Sequence, residues 1–290
     1  MMGSPVMSSF LQCGRRPLSL DRPVVMGILN VTPDSFSDGG RYFTLDAALR
    51  QAVQMQADGA QLIDIGAEST RPGAAPVSLQ EELDRMLPVV EAVAREVDAI
   101  ISIDTSSPQV MTGAAALGAG LINDVRALQR PGALVAAAAT GLPVCLMHMQ
   151  GEPDTMQLQP RYENVFAQLD AFFDERIAAC EAAGIGKSRL LIDPGFGFGK
   201  SLAHNVALLD GLAHFRRWGC PVLAGLSRKS MLGALLGGAP VDQRLHASVA
   251  AAVLSVMNGA AIVRVHDVKA TADALAVVSA VLRHRSQEAG

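Results

Sequence analysis

Four polar side chains stand where an apolar strand would be expected to continue: Asp104, Asn123, Asp193 and Lys229. Each closes or follows a run of aliphatic residues, as Ile100-Ile101-Ser102-Ile103 precedes Asp104. A buried carboxylate is costly unless a partner, a metal or a ligand meets it. An internal salt bridge from Lys229 to one aspartate would answer that cost at a single position. The four together suit the edge of a flat, nitrogen-rich heterocycle. A carboxylate accepts paired N–H bonds, while an amide and an ammonium serve the remaining ring atoms.

Arg264-Val265-His266 adds a cationic pair, because alternate residues of a strand face the same side. A second anion site is offered by Lys229-Ser230, read as the start of a short helix ending near Gly237-Gly238. The segment from Asn30 to Gly40 is a long polar loop, either an ordinary connection or a mobile lid. As a lid it presents oxygen ligands at Asn30, Asp34 and Asp38. Such ligands suit Mg2+, which takes few protein groups and completes its shell with water and phosphate oxygens. In Glu68-Ser69-Thr70-Arg71-Pro72-Gly73, Arg71 beside a rigid proline is either a surface residue or a bidentate grip on a carboxylate or phosphate. Asp193-Pro194-Gly195-Phe196-Gly197-Phe198-Gly199-Lys200 lacks Walker spacing. Its glycines let the backbone turn sharply and bring Phe198 over a flat ligand. His148 lacks a cationic companion and reads as structural.

These residues need a scaffold that gathers strand ends. Strands are predicted to begin near 24, 62, 100, 121, 144, 190, 222 and 261, with helical segments between them. Ser78-Leu79-Gln80-Glu81 fits a capping box, and Ser107-Pro108 sets an N-cap before a proline at the first helical position. Strand–helix alternation implies a parallel sheet, and eight units favour closure. The expected fold is a (β/α)8 barrel, whose active site lies at the C-terminal strand ends where the polar clusters fall. The expected organisation is a partly disordered N-terminal extension over 1–20 and one barrel domain over 21–290. Residues 10–23 are expected to form a small lid under the barrel, and a methionine after Met1 is an alternative start.

Composition narrows the partners. The chain has 290 residues, half of them apolar and 18% charged, which suits one barrel of roughly 250 residues. A net charge of −4 argues against nucleic acid or an anionic membrane as the main partner. No apolar run approaches the about 20 residues of a membrane span, and no signal peptide is evident. Cys13, Cys145, Cys180 and Cys220 show no metal or redox spacing and read as buried thiols of a protein in the reducing cytoplasm.

The clusters match a family. GILNVTPDSFSDGG (27–40), GAESTRPGA (66–74), SIDT (102–105), INDV (122–125), LMHMQG (146–151), DPGFGFGK (193–200), GLSRKSM (225–231) and RVHDV (264–268) resemble the dihydropteroate synthases of bacterial folate synthesis. The resemblance runs from about residue 20 to 285. It implies an Mg2+-assisted transferase that condenses 6-hydroxymethyl-7,8-dihydropterin diphosphate with p-aminobenzoate, releasing pyrophosphate. Pterin contacts are implied at Asp104, Asn123, Asp193 and Lys229, and diphosphate contacts at Thr70, Arg264 and His266. Asn30 is implied as the protein ligand of Mg2+, with p-aminobenzoate among Phe36, Arg71, Pro72, Phe198 and Ser230. The charged groups at Asp104, Lys229, Arg264 and His266 would carry catalysis by dissociative substitution, in which preorganised charge stabilises the separating ions. The family is usually a homodimer and is the target of sulfonamides, and both are further expectations of the resemblance. Two alternatives are a non-catalytic pterin-binding paralogue and a corrinoid-linked methyltransferase using methyltetrahydrofolate.

Overall fold

The computed structural model describes residues 10–31, 41–68, 77–151, 156 and 160–288. An antiparallel hairpin comes first, β1 (Phe10–Cys13) paired with β2 (Arg16–Ser19). Strands and helices then alternate: β3 (Val24–Asn30), α1 (Arg41–Ala57), β4 (Leu62–Gly66), α2 (Leu79–Glu96), β5 (Ile100–Asp104) and α3 (Pro108–Ala116). There follow β6 (Leu121–Asp124), α4 (Ala133–Thr140), β7 (Val144–Met147), α5 (Val165–Ala182), β8 (Leu190–Asp193) and α6 (Leu202–Asp210). The chain ends with β9 (Leu223–Ala224), α7 (Ser230–Leu235), α8 (Leu245–Met257), β10 (Ile262–Val265) and α9 (Val268–Glu288).

All pairings from β3 onward are parallel, in the order β8-β7-β6-β5-β4-β3-β10-β9. A parallel bridge between Ile192 and Val222 joins the two edges of this sheet. The expected barrel is therefore present, and the eight strands start within one residue of their predicted positions.

Pleating explains where the polar residues go. Successive residues of a strand face opposite sides. The outward set packs under the helices, as in Ile63, Ile65, Ile101, Ile103 and Val263. The inward set begins apolar: Met26, Leu62, Ile100, Leu121, Cys145, Leu191, Leu223 and Ile262 form a separate core. Leu11, Cys13 and Leu18 of the hairpin join that core. Two residues further along, the inward side turns polar on β4, β6, β8 and β10. Leu62 leads to Asp64, Leu121 to Asn123, Leu191 to Asp193 and Ile262 to Arg264. The barrel is thus greasy at its base and charged at its mouth.

Some helix starts follow local chemistry. Ser78 forms the predicted capping box with Glu81, and Asn164 caps α5 through Ala167 N–H at 3.1 Å. Pro108 does stand at the first turn of α3, yet Ser107 makes no side-chain cap. Its hydroxyl instead donates to Glu82 Oε2 at 2.5 Å, because that buried carboxylate needs donors. The four cysteines are buried and free, and burial raises each thiol's pKa, to about 12 for Cys13 and about 11 for Cys180 and Cys220. None is poised as a thiolate.

The hairpin should matter for stability and not for the barrel mouth. Leu11→Ala is expected to cost about 2–4 kcal/mol in denaturant unfolding. A cost under about 0.5 kcal/mol, the range of surface substitutions, would mean that Leu11 does not fill the barrel base.

Candidate functional site

The inward residues at the barrel mouth converge on a guanidinium. Arg264, on β10, donates from Nε to Asp64 Oδ2 at 2.6 Å and from Nη2 to Asp104 Oδ2 at 2.8 Å. Asp64 is wholly buried on β4, and its other partners are Ser102 Oγ at 2.5 Å and Asn123 Nδ2 at 3.1 Å. Two carboxylates thus share one cation in a water-poor site. Burial pushes the Asp104 carboxyl above its ordinary value, to about 7, with Arg264 opposing and Asp64 adding to the rise. For Arg264, burial alone would lower the pKa. Asp64 and Asp104 more than offset it, so the guanidinium is held charged.

A second acid–base pair faces this cluster. Asp193 ends β8 and is 6% exposed, and Gly195 N–H donates to its Oδ1 at 2.7 Å. Its pKa is raised by burial and drawn back by Lys229. Lys229 directly precedes α7, and burial lowers its ammonium to about 8 while Asp193 opposes. Its Nζ donates to the Phe196 carbonyl and stands 4.3 Å from the centre of the Phe198 ring. His266 closes the set, its Nδ1 at 3.0 Å from Ser227 Oγ, which also accepts from the His266 backbone N–H at 3.1 Å.

Two strained turns hold these groups in place. Arg228 takes a left-handed φ of 59° between Ser227 and Lys229, a conformation that is costly for a residue with a Cβ. Its guanidinium pairs with Asp267, its N–H donates to Ser248 Oγ, and its carbonyl accepts from Arg244. Ala127 and Leu128 are left-handed as well. Asp124, buried at the end of β6, accepts from the N–H groups of Arg126 at 2.9 Å and Leu128 at 2.8 Å. Arg126 in turn reaches Glu68 at 3.2 Å, which ties the base of the β4–α2 loop to the β6–α4 loop.

The resulting cavity is lined by Asp104, Asn123, Asp193, Phe198, Lys229, Arg264 and His266, with Ile28, Val125 and Met147 as apolar walls. Seven predicted site residues therefore meet. The cavity measures about 60 Å³, room for a few waters. Cavities of about 630 and 870 Å³ flank the hairpin at the opposite end of the barrel, but the buried acid–base set is absent from them.

Asn30 lies at the end of β3, half-buried and in register with Gly66, and is not part of that lining. Ser230 opens α7 and is exposed. Asp34, Phe36, Asp38, Thr70, Arg71 and Pro72 fall outside the described residues. Among the described residues no group of three His, Cys, Asp or Glu side chains is arranged for a metal. Among the described residues the Asn30 amide oxygen is the one predicted Mg2+ ligand, and a single amide oxygen suits an ion that keeps most of its shell from water and phosphate oxygens.

Sequence reasoning missed Asp64, Ser102 and Ser227. A charged residue in the middle of Leu62-Ile63-Asp64-Ile65 was the available signal, since strand parity puts it inward with Leu62. His148 is buried as expected of a structural histidine, although it has a cationic companion after all in Lys200.

Comparison with known proteins agrees with this geometry. The family described as pterin binding enzyme matches residues 26–266. The dihydropteroate synthase of Escherichia coli is 58% identical over 265 residues, covering 91% of this chain and 94% of that protein. A crystal structure of the Yersinia pestis dihydropteroate synthase with a sulfonamide drug complex superposes with a TM-score of 0.90 at 57% identity, over 94% of this chain and 99% of that one. The Xanthomonas albilineans dihydropteroate synthase with 4-aminobenzoic acid gives a TM-score of 0.90 at 53% identity, over 95% and 98% of the two chains. On matched sequence, superposed barrel and converging polar strand ends together, the chain belongs to the pterin binding enzyme family, among its dihydropteroate synthases.

Proposed function

We propose that this chain condenses 6-hydroxymethyl-7,8-dihydropterin diphosphate with p-aminobenzoate to dihydropteroate and pyrophosphate. The observation that carries the reading is a barrel mouth that gathers the carboxylates of Asp64, Asp104 and Asp193 with the basic side chains of Lys229, Arg264 and His266. Asp193 and Asn123 offer the acceptor and donor that a pterin edge requires, and Lys229 a movable donor beside them. Breaking the C–O bond leaves positive charge on the pterin methylene and negative charge on pyrophosphate. Asp104 is the carboxylate that answers the first, while Arg264, His266 and Thr70 answer the second. Charges fixed in advance in a site of low dielectric are often the largest catalytic contribution.

Arg264 has a double duty in this scheme. It neutralises Asp64 and Asp104. A diphosphate draws the guanidinium towards itself, which frees Asp104 as the methylene gains positive charge. Asn30 would hold Mg2+, which supplies further neutralisation of the leaving diphosphate when bound. The amine of p-aminobenzoate is neutral at pH 7, so no strong general base is called for. None of the four cysteines is in a state to serve as nucleophile. Its aromatic ring is assigned to Phe198 together with Phe36, Arg71 and Pro72, and its carboxylate to Ser230. The loops that carry Asp34, Asp38 and Arg71 would close over it and exclude water.

A homodimer is part of the proposal. Leu202 and Val206 of α6, Leu235 and Leu236 at the end of α7, and Leu245 and Leu254 of α8 are large apolar side chains left exposed, between 37% and 57%. Apolar surface of this extent on one group of neighbouring helices is what a second copy would cover. No helix among the described residues is long and apolar enough to cross a membrane. Free thiols fit the proposed reducing cytoplasm.

Pyrophosphate release is expected only when dihydropterin diphosphate, p-aminobenzoate and Mg2+ are all present. Pterin binding without any release would favour a non-catalytic paralogue. Asp104→Asn is expected to lower kcat about 100-fold, within the range for loss of one preorganised group. Its pterin affinity should stay within a few fold. Near-normal kcat would remove Asp104 from the stabilisation of the methylene cation.

A further inference from the structure

Lys200 is a buried ammonium that the reaction scheme leaves unused. It ends the glycine-rich segment after β8 and is 3% exposed. Its Nζ lies 2.9 Å from the Gly195 carbonyl, 3.0 Å from the Phe198 carbonyl, 3.0 Å from His148 Nδ1 and 3.3 Å from the His148 carbonyl. No carboxylate is in hydrogen-bond contact with it among the described residues. An ammonium has three N–H donors, so four acceptors saturate it. Keeping a charge in such a place is unfavourable unless the cage is well formed. Burial draws its pKa down to about 7, with nearby Asp193 opposing and Lys229 adding to the fall.

Its partner is prepared for the contact. Burial holds His148 neutral, its pKa lowered to about 2, with Lys200 as the next cause. A neutral ring can accept at Nδ1 from the ammonium, and the imidazole packs against Phe172 with ring centres 4.9 Å apart and planes at 86°. Backbone geometry admits no slack either. Gly195 and Gly199 have φ of +69° and +62°, and a Cβ at Gly195 would lie 1.9 Å from the His148 carbonyl. The turn after β8 is thus pressed directly on the end of β7.

What this turn carries is the wall of the cavity. The Gly195 N–H holds Asp193, the Phe196 carbonyl accepts from Lys229, and the Phe198 ring lies beneath the same ammonium. We propose that Lys200 and His148 form a positioning pair for the pterin pocket, fixing the Gly195–Phe198 turn so that Asp193, Phe198 and Lys229 hold the geometry that receives the heterocycle. The pair touches no substrate. It acts through the turn. The inference rests on the pocket assignment made above.

Calorimetric titration with 6-hydroxymethylpterin of the wild-type chain and of Lys200→Met, His148→Phe and His148→Asn, each also melted thermally, tests this. Loss of one such buried bond should weaken pterin binding about ten-fold in Lys200→Met and His148→Phe. His148→Asn should bind within about two-fold of wild type, since its Oδ1 can replace the Nδ1 acceptor. Melting points lowered by Lys200→Met and His148→Phe, with pterin affinity unchanged, would reduce the pair to a structural staple and overturn the proposal. Should Lys200→Met fail to fold, His148→Phe decides by the same criterion. Wild-type protein that binds no pterin would instead overturn the pocket assignment, a separable failure that takes this inference with it.

Discussion

Everything at the mouth of this barrel depends on one guanidinium shared by two carboxylates. Asp64 is fully enclosed and Asp104 is half-buried, and without Arg264 their charges would repel at close range. Removing one partner of a buried ion pair typically costs about 3–5 kcal/mol, because the stranded charge remains desolvated. The pair also bridges strands that are not hydrogen-bonded to each other. Arg264 belongs to β10, while its acceptors come from β4 and β5, with β3 between them. The contact therefore fixes the relative height of strands distant in sequence, and Asn123 reads that height through Asp64.

A ligand-binding barrel needs its polar residues inward and its stability elsewhere. Strand pleating meets both needs at once. The same inward face that is apolar at Leu62, Leu121, Leu191 and Ile262 becomes Asp64, Asn123, Asp193 and Arg264 two residues later. The hairpin of β1 and β2 packs on the apolar end. Charge at the other end is then free to be arranged for chemistry. Left-handed backbone at Arg228, Ala127 and Leu128 marks where the loops bend back to complete the mouth, each turn held by a buried acceptor or ion pair.

Much of this could be read from the chain. Strand starts were fixed by abrupt changes from turn residues to aliphatic runs, and the polar ends followed from the same runs. Asp104, Asn123, Asp193, Lys229, Arg264 and His266 were legible because a polar residue at a strand end is conspicuous. Asp64 was not, since it lies inside its strand and only parity reveals which way it faces. Ser107 looked like a cap, but a buried glutamate two elements earlier claims its hydroxyl. Lys200 and His148 are 52 positions apart, and no local pattern announces their contact. What the sequence hid were the tertiary demands of buried polar groups.

On this reading Asp64, through Arg264 and Asn123, organises the ligand face of the pocket. The most direct measurement is calorimetric titration of dihydropterin diphosphate into wild-type and Asp64→Asn protein. Asparagine keeps the shape and removes the charge that anchors Arg264. Affinity should fall about ten-fold or more, the equivalent of one charge-assisted contact. Affinity within about two-fold of wild type would contradict it.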